Sequence, residues 1–93
     1  MAVKLNDDQF HRIARALADP RRYELLRRIG RSEKCVPCGD LLGCSEISAA
    51  TLSHHMKELE TAGLIESRRE GKFVKYRLRR DVLDAYLAKL AQI

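Results

Sequence analysis

Residues 48–64 constrain the fold more than any other stretch, because they read as a single helix with a defined beginning and end. Ser48 is suited to be the N-cap, since its hydroxyl can accept from a free N–H of the first turn. Gly63 stands where a left-handed residue closes a helix, and Leu64 can pack back over that end. The face at spacing i, i+3, i+4 and i+7 holds Leu52, His55, Met56 and Leu59. We expect this face to pack inward.

The opposite face of the same helix is small and polar. It carries Ala50, His54, Lys57 and Thr61, with Ser53 on its flank, and no carboxylate, although Glu58 and Glu60 lie to its sides. Such a face suits entry into the major groove of DNA. A plain amphipathic surface helix could show the same pattern. The residues that follow distinguish it from a DNA-binding helix.

After Gly63 the pattern changes from helical to alternating. Two strands are predicted at residues 64–69 and 73–78, joined by a tight turn at Glu70–Gly71. Two acidic residues accompany seven basic ones in residues 64–80, namely Arg68, Arg69, Lys72, Lys75, Arg77, Arg79 and Arg80. The eleven basic and eleven acidic residues elsewhere cancel, so the net charge of +5 belongs to this segment. A neutral body with one basic projection is typical of proteins that bind phosphate groups.

The remaining elements are four helices, predicted at residues 7–17, 20–29, 40–44 and 81–91. Asp19 and Pro20 suit the start of the second helix, and Gly30 its end. A polar loop is expected at 31–39 and a turn at 45–47. A short helix, a turn and a longer capped helix make a helix-turn-helix. The expected fold is mainly α with a small β-hairpin (α+β): five helices and a two-stranded wing in one domain, residues 1–93.

In this order of elements, several motifs resemble the ArsR/SmtB family of bacterial winged-helix repressors. Ala-Asp-Pro-Arg-Arg at 18–22 resembles the family's opening of its second helix, and residues 48–59 resemble its Ser-x-x-Thr-Val-Ser-x-His-Leu-x-x-Leu recognition helix. Further matches are Ala-Gly-Leu-Ile at 62–65, Arg-Arg-Glu-Gly-Lys at 68–72 and Tyr-Arg-Leu at 76–78. The resemblance implies a homodimer that binds a palindromic operator in double-stranded DNA, usually as a repressor released by an inducer.

The resemblance also implies roles for individual residues. The expected DNA-binding residues are Ser48, Thr51, Ser53, His54 and Lys57 on the helix, and Arg68, Arg69 and Lys72 on the wing. The first and last helices would form the dimer interface. Its residues would come from the apolar stripe of the last helix, Val82, Leu83, Tyr86, Leu87 and Leu90, joined by Phe10 and Ile13. His55 is expected to pack or hydrogen-bond inside the protein and not to bind a metal.

The three cysteines, Cys35, Cys38 and Cys44, leave three interpretations open. They can bind arsenite or another thiophilic metal ion, because soft ions prefer thiolates. They can form a redox switch, or they can be structural residues without a ligand. In the arsenic-sensing members of the family three cysteines lie closer together. A ligand here would shift the 40–44 helix and, with it, the helix that meets DNA. No other cofactor is expected.

Other classes of function find less support in the residues. A thioredoxin-like role of Cys35-x-x-Cys38 needs a βαβ context, and no catalytic triad or phosphate loop is recognisable, so we expect no enzyme. No apolar run is long enough for a membrane span, and the first residues have no apolar signal core, so we expect a cytoplasmic protein without a membrane partner. A winged helix that binds protein, without an inducer response, is the alternative function. Salt dependence would separate it from a DNA-binding protein.

Overall fold

The computed structural model describes residues 3–32, 34–43 and 48–93. Within them the chain forms five helices, as the sequence predicts, and a small antiparallel sheet that contains the predicted hairpin. The elements in order are α1 (Asp7–Leu17), α2 (Pro20–Arg31), β1 (Val36–Pro37), α3 (Cys38–Gly43), α4 (Ala49–Thr61), β2 (Ile65–Glu70), β3 (Phe73–Leu78) and α5 (Arg80–Ala91).

The core lies between the inner face of α4, helices α1, α2 and α5, and the base of the hairpin. The largest side chains with under 2% exposure are Ile13, Ile29, Leu52, Met56, Leu59 and Leu64. Leu41 adds a residue from α3, and Val82 and Tyr86 add two from α5. The predicted inward face of α4 is therefore confirmed, and this burial fixes the orientation of its other face.

The sheet has three strands where the sequence predicts two. Their order is β1-β3-β2, and Val36 pairs with Tyr76 while Pro37 pairs with Lys75. The expectation of a polar loop at 31–39 is therefore wrong for residues 36 and 37, which form β1. A two-residue strand is too short to show a period in the sequence, and proline is tolerated because β1 is an edge strand. β1 joins the cysteine segment directly to the hairpin.

Two helix boundaries also differ from the prediction. α2 continues through Gly30 to Arg31, because this glycine serves packing and not termination: a Cβ there would lie 3.1 Å from Cδ2 of Leu78. α3 begins at Cys38, two residues before the predicted start at Asp40. The predicted end of that helix at Cys44 and the turn at 45–47 lie outside the described residues.

Candidate DNA-binding surface

Both ends of α4 are closed by local hydrogen bonds. At the beginning, the Ser48 hydroxyl accepts from the Thr51 N–H at 3.2 Å and donates to Oγ1 of Thr51 at 3.0 Å. At the end, the Gly63 N–H donates to the carbonyl of Glu60 and the Leu64 N–H to that of Leu59. This pair of bonds, with φ +83° at Gly63, is a Schellman motif. The predicted cap and stop of the helix are confirmed.

The outer face of α4 is open to solvent. Exposed positions on this helix include Ala49, Ala50, Ser53, His54, Lys57 and Thr61, while Thr51 is half-buried under the cap. None of the large apolar side chains exposed in the described chain lies on α4. The face therefore offers hydrogen-bonding groups and one ammonium on a support held by the core.

His55 lies on the inner face of α4 and is 6% exposed. Its Nδ1 is buried and has no hydrogen-bond partner among the described residues. Burial lowers the pKa of His55, against the opposite influence of the Asp19 carboxylate. The histidine is thus a neutral packing residue near neutral pH, in agreement with the predicted inward position.

The segment 18–22 joins the first two helices through two side chains. Asp19 caps α2 by accepting from the N–H groups of Arg21 at 2.8 Å and Arg22 at 3.2 Å. Arg22 extends its guanidinium to the end of α1, where Nε donates to the carbonyl of Ala16 at 2.9 Å. The sequence predicts the cap. The role of Arg22 is not visible in the sequence, because it depends on how α2 folds back on α1.

The hairpin β2–β3, which we call the wing, has two faces set by its strand register. Glu66 pairs with Arg77, Arg68 with Lys75, and Glu70 with Phe73, so these six side chains share the outer face. The inner face begins at the core with Ile65, Tyr76 and Leu78. The connecting loop has two residues, Gly71 and Lys72, and only the glycine has positive φ, +61°. The predicted turn is thus displaced by one residue along the chain.

Ion pairs cancel part of the positive charge of the segment from β2 to α5. Glu66 pairs with Arg77, Glu70 with Lys75 at 3.3 Å, and Asp81 with Arg79 at 3.1 Å. Within the described chain no carboxylate pairs with Arg68, Arg69 or Lys72, and all three are exposed. The uncompensated charge therefore concentrates in the outer half of the wing, at the three residues expected to bind DNA.

The two described cysteines both lie beside the wing. Cys35 lines a cavity of about 280 Å³ with Glu66, Ser67, Arg68 and Arg77. Cys38 lies beside Tyr76, whose pKa is raised by burial and further by this thiol. Both are free thiols. Cys44 lies outside the described residues, and among the residues that the structure does describe no three metal-binding side chains converge.

The residues expected at a dimer interface divide into two groups. Ile13 is 0% exposed and Tyr86 9%, so both belong mainly to the core of one protomer and support the surface from beneath. The outer group is formed by Leu87 at 52% and Leu90 at 37% exposure, with half-buried Leu83 and Phe10. The Phe10 ring packs on Tyr86, with centroids 5.1 Å apart, and Nζ of Lys89 lies over it at 4.9 Å. α1 and α5 thus present one continuous surface.

Comparison with known proteins agrees with this arrangement. A family model described as a helix-turn-helix domain matches residues 17–68. The arsenical resistance operon repressor of Staphylococcus xylosus is 40% identical over 72 residues, which are 77% of this chain and 67% of that protein. No described helix has the length and apolar character needed to cross a membrane.

Two solved structures have the same fold. An ArsR-like transcriptional regulator from Rhodococcus sp. RHA1 superposes with a TM-score of 0.81 at 25% identity, over 91% of this chain and 78% of that one. The second is the solution structure of the homodimeric winged helix-turn-helix DNA-binding domain of Mb0332 from Mycobacterium bovis. It superposes with a TM-score of 0.75 at 28% identity, over 91% of this chain and 79% of that one. The chain belongs to the ArsR/SmtB family of winged helix-turn-helix transcriptional regulators.

Proposed function

We propose that this protein is a repressor that binds a palindromic operator in double-stranded DNA as a homodimer. One observation carries the proposal: a carboxylate-free outer face of α4 is followed, after three residues, by a wing whose unpaired cations are Arg68, Arg69 and Lys72. His54 and Lys57, with Ser53 and Thr51, would meet base edges in the major groove, while the wing cations and Ser48 would bind phosphates.

The homodimer is proposed from the α1–α5 surface. Leu87 and Leu90 are exposed on a terminal helix, and Mb0332, a structural relative, is described as homodimeric. A two-fold pair would place two copies of α4 in successive turns of the major groove, about 34 Å apart. A mass in analytical ultracentrifugation that stays monomeric at every protein concentration would refute the dimer.

The test of DNA binding is a salt titration. A duplex of about 30 base pairs, selected by the protein from a random pool, is titrated by fluorescence anisotropy at several salt concentrations. Binding through several phosphates predicts that log K falls steeply and linearly with log salt. A weak salt dependence, or no duplex retained by the selection, would favour the alternative, a winged helix that binds protein.

For release from DNA, we propose a thiol-reactive inducer at Cys35, Cys38 and Cys44. The donor set fits a thiophilic ion such as arsenite, since two free thiols three residues apart are present and each As–S bond would form with loss of one water. The family supports the idea only by analogy, because the Staphylococcus xylosus relative is named for arsenical resistance. A hydroperoxide oxidising two thiols to a disulfide is the competing chemistry.

The contacts of the thiols suggest a route by which an inducer would act. Cys35 and Cys38 flank β1, which pairs with the wing strand β3, so a change at the thiols would reach the wing as well as α3. Arsenite and hydrogen peroxide should each be added to the protein–DNA complex. The unmodified protein should release the duplex with one of them, and a variant with all three cysteines changed to serine should bind equally well and respond to neither. No response from the unmodified protein would make the cysteines structural.

A further inference from the structure

A cavity of about 410 Å³ lies on the side of α2 that faces α5, and we call it the α2–α5 cavity. Its volume is within the range of sites that bind small organic molecules. Most of its lining is apolar and comes from the ends of α1 and β3 as well as from α2 and α5. The apolar side chains are Leu17, Leu26, Leu78, Leu83, Tyr86 and Leu87. The cavity therefore favours the hydrophobic part of a ligand.

Three arginines, Arg27, Arg31 and Arg80, line the same cavity, and none of the described carboxylates does. Arg27 is paired with Glu24 at 3.4 Å. Arg31 and Arg80 are exposed, and within residues 3–32, 34–43 and 48–93 no carboxylate forms an ion pair with either of them. The cavity thus combines an apolar lining with two positive charges that the described chain leaves uncompensated.

This combination matches the two parts of an amphipathic organic anion. A guanidinium binds a carboxylate through two parallel hydrogen bonds, which fix its orientation as well as its charge. Apolar walls gain free energy by removing an aromatic or branched aliphatic body from water. Inorganic phosphate has no such body and would leave the apolar lining in contact with water. The lining therefore favours a carboxylate that carries a hydrophobic group.

A second copy of the chain is the other occupant to consider, because Leu83 and Leu87 also belong to the proposed dimer interface. The residues proposed for that interface are apolar, so they offer no acceptor to Arg31 or Arg80. Tyr23, which is 53% exposed and also lines the cavity, lies on α2 and outside the α1–α5 surface. A partner protomer on that surface would therefore border the cavity without matching its charge.

We propose that the α2–α5 cavity binds a small organic carboxylate with an aromatic or branched apolar body. Arg31 and Arg80 bind the carboxylate, while Tyr23 and the leucines enclose the body. The residues that form this site are neither the thiols nor the side chains proposed to meet DNA. The inference therefore adds a second class of ligand to the protein and does not depend on DNA binding.

The first experiment uses 1-naphthoate as the probe and 1-naphthamide, a neutral molecule of nearly the same shape, as its control. Calorimetric titration of the protein without DNA should give a dissociation constant of about 1 mM or lower for naphthoate. Naphthamide should bind about fivefold more weakly or worse, because it lacks the charge that the guanidinium groups attract. No binding of naphthoate at millimolar concentration, or equal affinity for the two molecules, would overturn the inference.

The second experiment locates the site with exposed residues, whose replacement should leave the fold intact. Arg31→Gln and Arg80→Gln should each weaken naphthoate binding about three- to fivefold and leave naphthamide binding unchanged. Tyr23→Ser should weaken both ligands by the same factor, because the ring contacts the body that they share. Arg12→Gln, which removes an exposed arginine of α1 outside the cavity, should change neither. An equal loss in Arg12→Gln would indicate attraction by overall charge and overturn the inference.

The last measurement decides between the carboxylate and a second copy of the chain. The titration is repeated at a protein concentration at which ultracentrifugation shows the dimer, and one naphthoate should still bind per protomer. Absence of binding in the dimer would assign the cavity to the partner protomer and overturn the inference. A protein that binds naphthoate but no duplex would support this site and refute the proposed DNA-binding function instead.

Discussion

The two regions proposed to meet DNA, α4 and the wing, are supported in different ways. α4 rests on the core along one side, with Leu52, Met56 and Leu59 each at 1% exposure or less, and both of its ends are capped. The outer half of the wing is largely exposed, and the Glu70–Lys75 ion pair connects its two strands. Reading of bases requires fixed donors, whereas attraction to phosphates tolerates motion. The difference in support therefore predicts that α4 gives specificity and the wing gives affinity.

The largest effect is expected where the two regions join. Gly63 has φ +83°, and a Cβ there would lie 2.7 Å from Nε2 of Gln9, so Gly63→Ala should lower the free energy of unfolding by about 2 kcal/mol. Gly71→Ala shares the positive φ but has open space, so about 1 kcal/mol is expected. Urea denaturation measures both. Equal losses would show that the joint is no more tightly packed than the wing tip.

His54→Ala tests whether α4 reads sequence. Its side chain is exposed on the outer face, so the fold should be unaffected. Affinity for the selected duplex should fall roughly tenfold, the value of one good base contact, with little change on random duplexes. Anisotropy titrations against both DNAs provide the comparison. A uniform loss on both would assign His54 to the phosphates.

Lys72→Ala tests the wing in the same assay. The expected loss is a few-fold and equal on selected and random duplexes, because a phosphate contact carries no sequence information. The salt slope should fall by about one. If instead the loss is confined to the selected duplex, the wing contributes to specificity and the division between the regions fails.

The smallest effect concerns pH and distinguishes the two regions again. Burial lowers the pKa of His55 below its usual 6.5, so the unfolded chain takes up the proton first as pH falls. The contribution of His55 to the free energy of unfolding is thus present above about pH 6.5 and is lost as pH decreases below it. His55→Leu should flatten this dependence relative to the unmodified protein in denaturant titrations between pH 8 and 5. The wing contains no histidine.

The sequence predicts the elements that are determined by interactions between residues close together in the chain. Ser48 and Gly63 define α4 because capping depends on neighbours in the chain, and periods of 3.6 and 2 separate the helices from the wing. The sequence misplaces the end of α2 because Gly30 is needed for close packing against Leu78, a residue far away in the chain. For the same reason it misses strand β1, which exists only through pairing with β3.

In the candidate site, too, features set by local sequence are predictable and features set by long-range pairing are not. The exposed positions of His54 and Lys57 are predictable from helical period, whereas the cancellation of Arg77 by Glu66 needs the strand register. Net charge counted along the sequence therefore overstates the charge available to DNA. Ile13 is predicted at the dimer interface but is fully buried in the core. The sequence does not show this, because the side of α1 that faces the core depends on tertiary packing.

The register of the sheet has a consequence for solubility. A sheet of order β1-β3-β2 leaves two strand edges unpaired, and such edges can join other chains into aggregates. On one side β1 covers Lys75 and Tyr76 of β3, and it contains Pro37, which has no N–H to donate to a further strand. The other carries Glu66, Arg68, Arg69 and Glu70, whose charges oppose stacking of a second copy. The residues that would attract nucleic acid thus also keep the exposed hairpin from polymerising at high protein concentration.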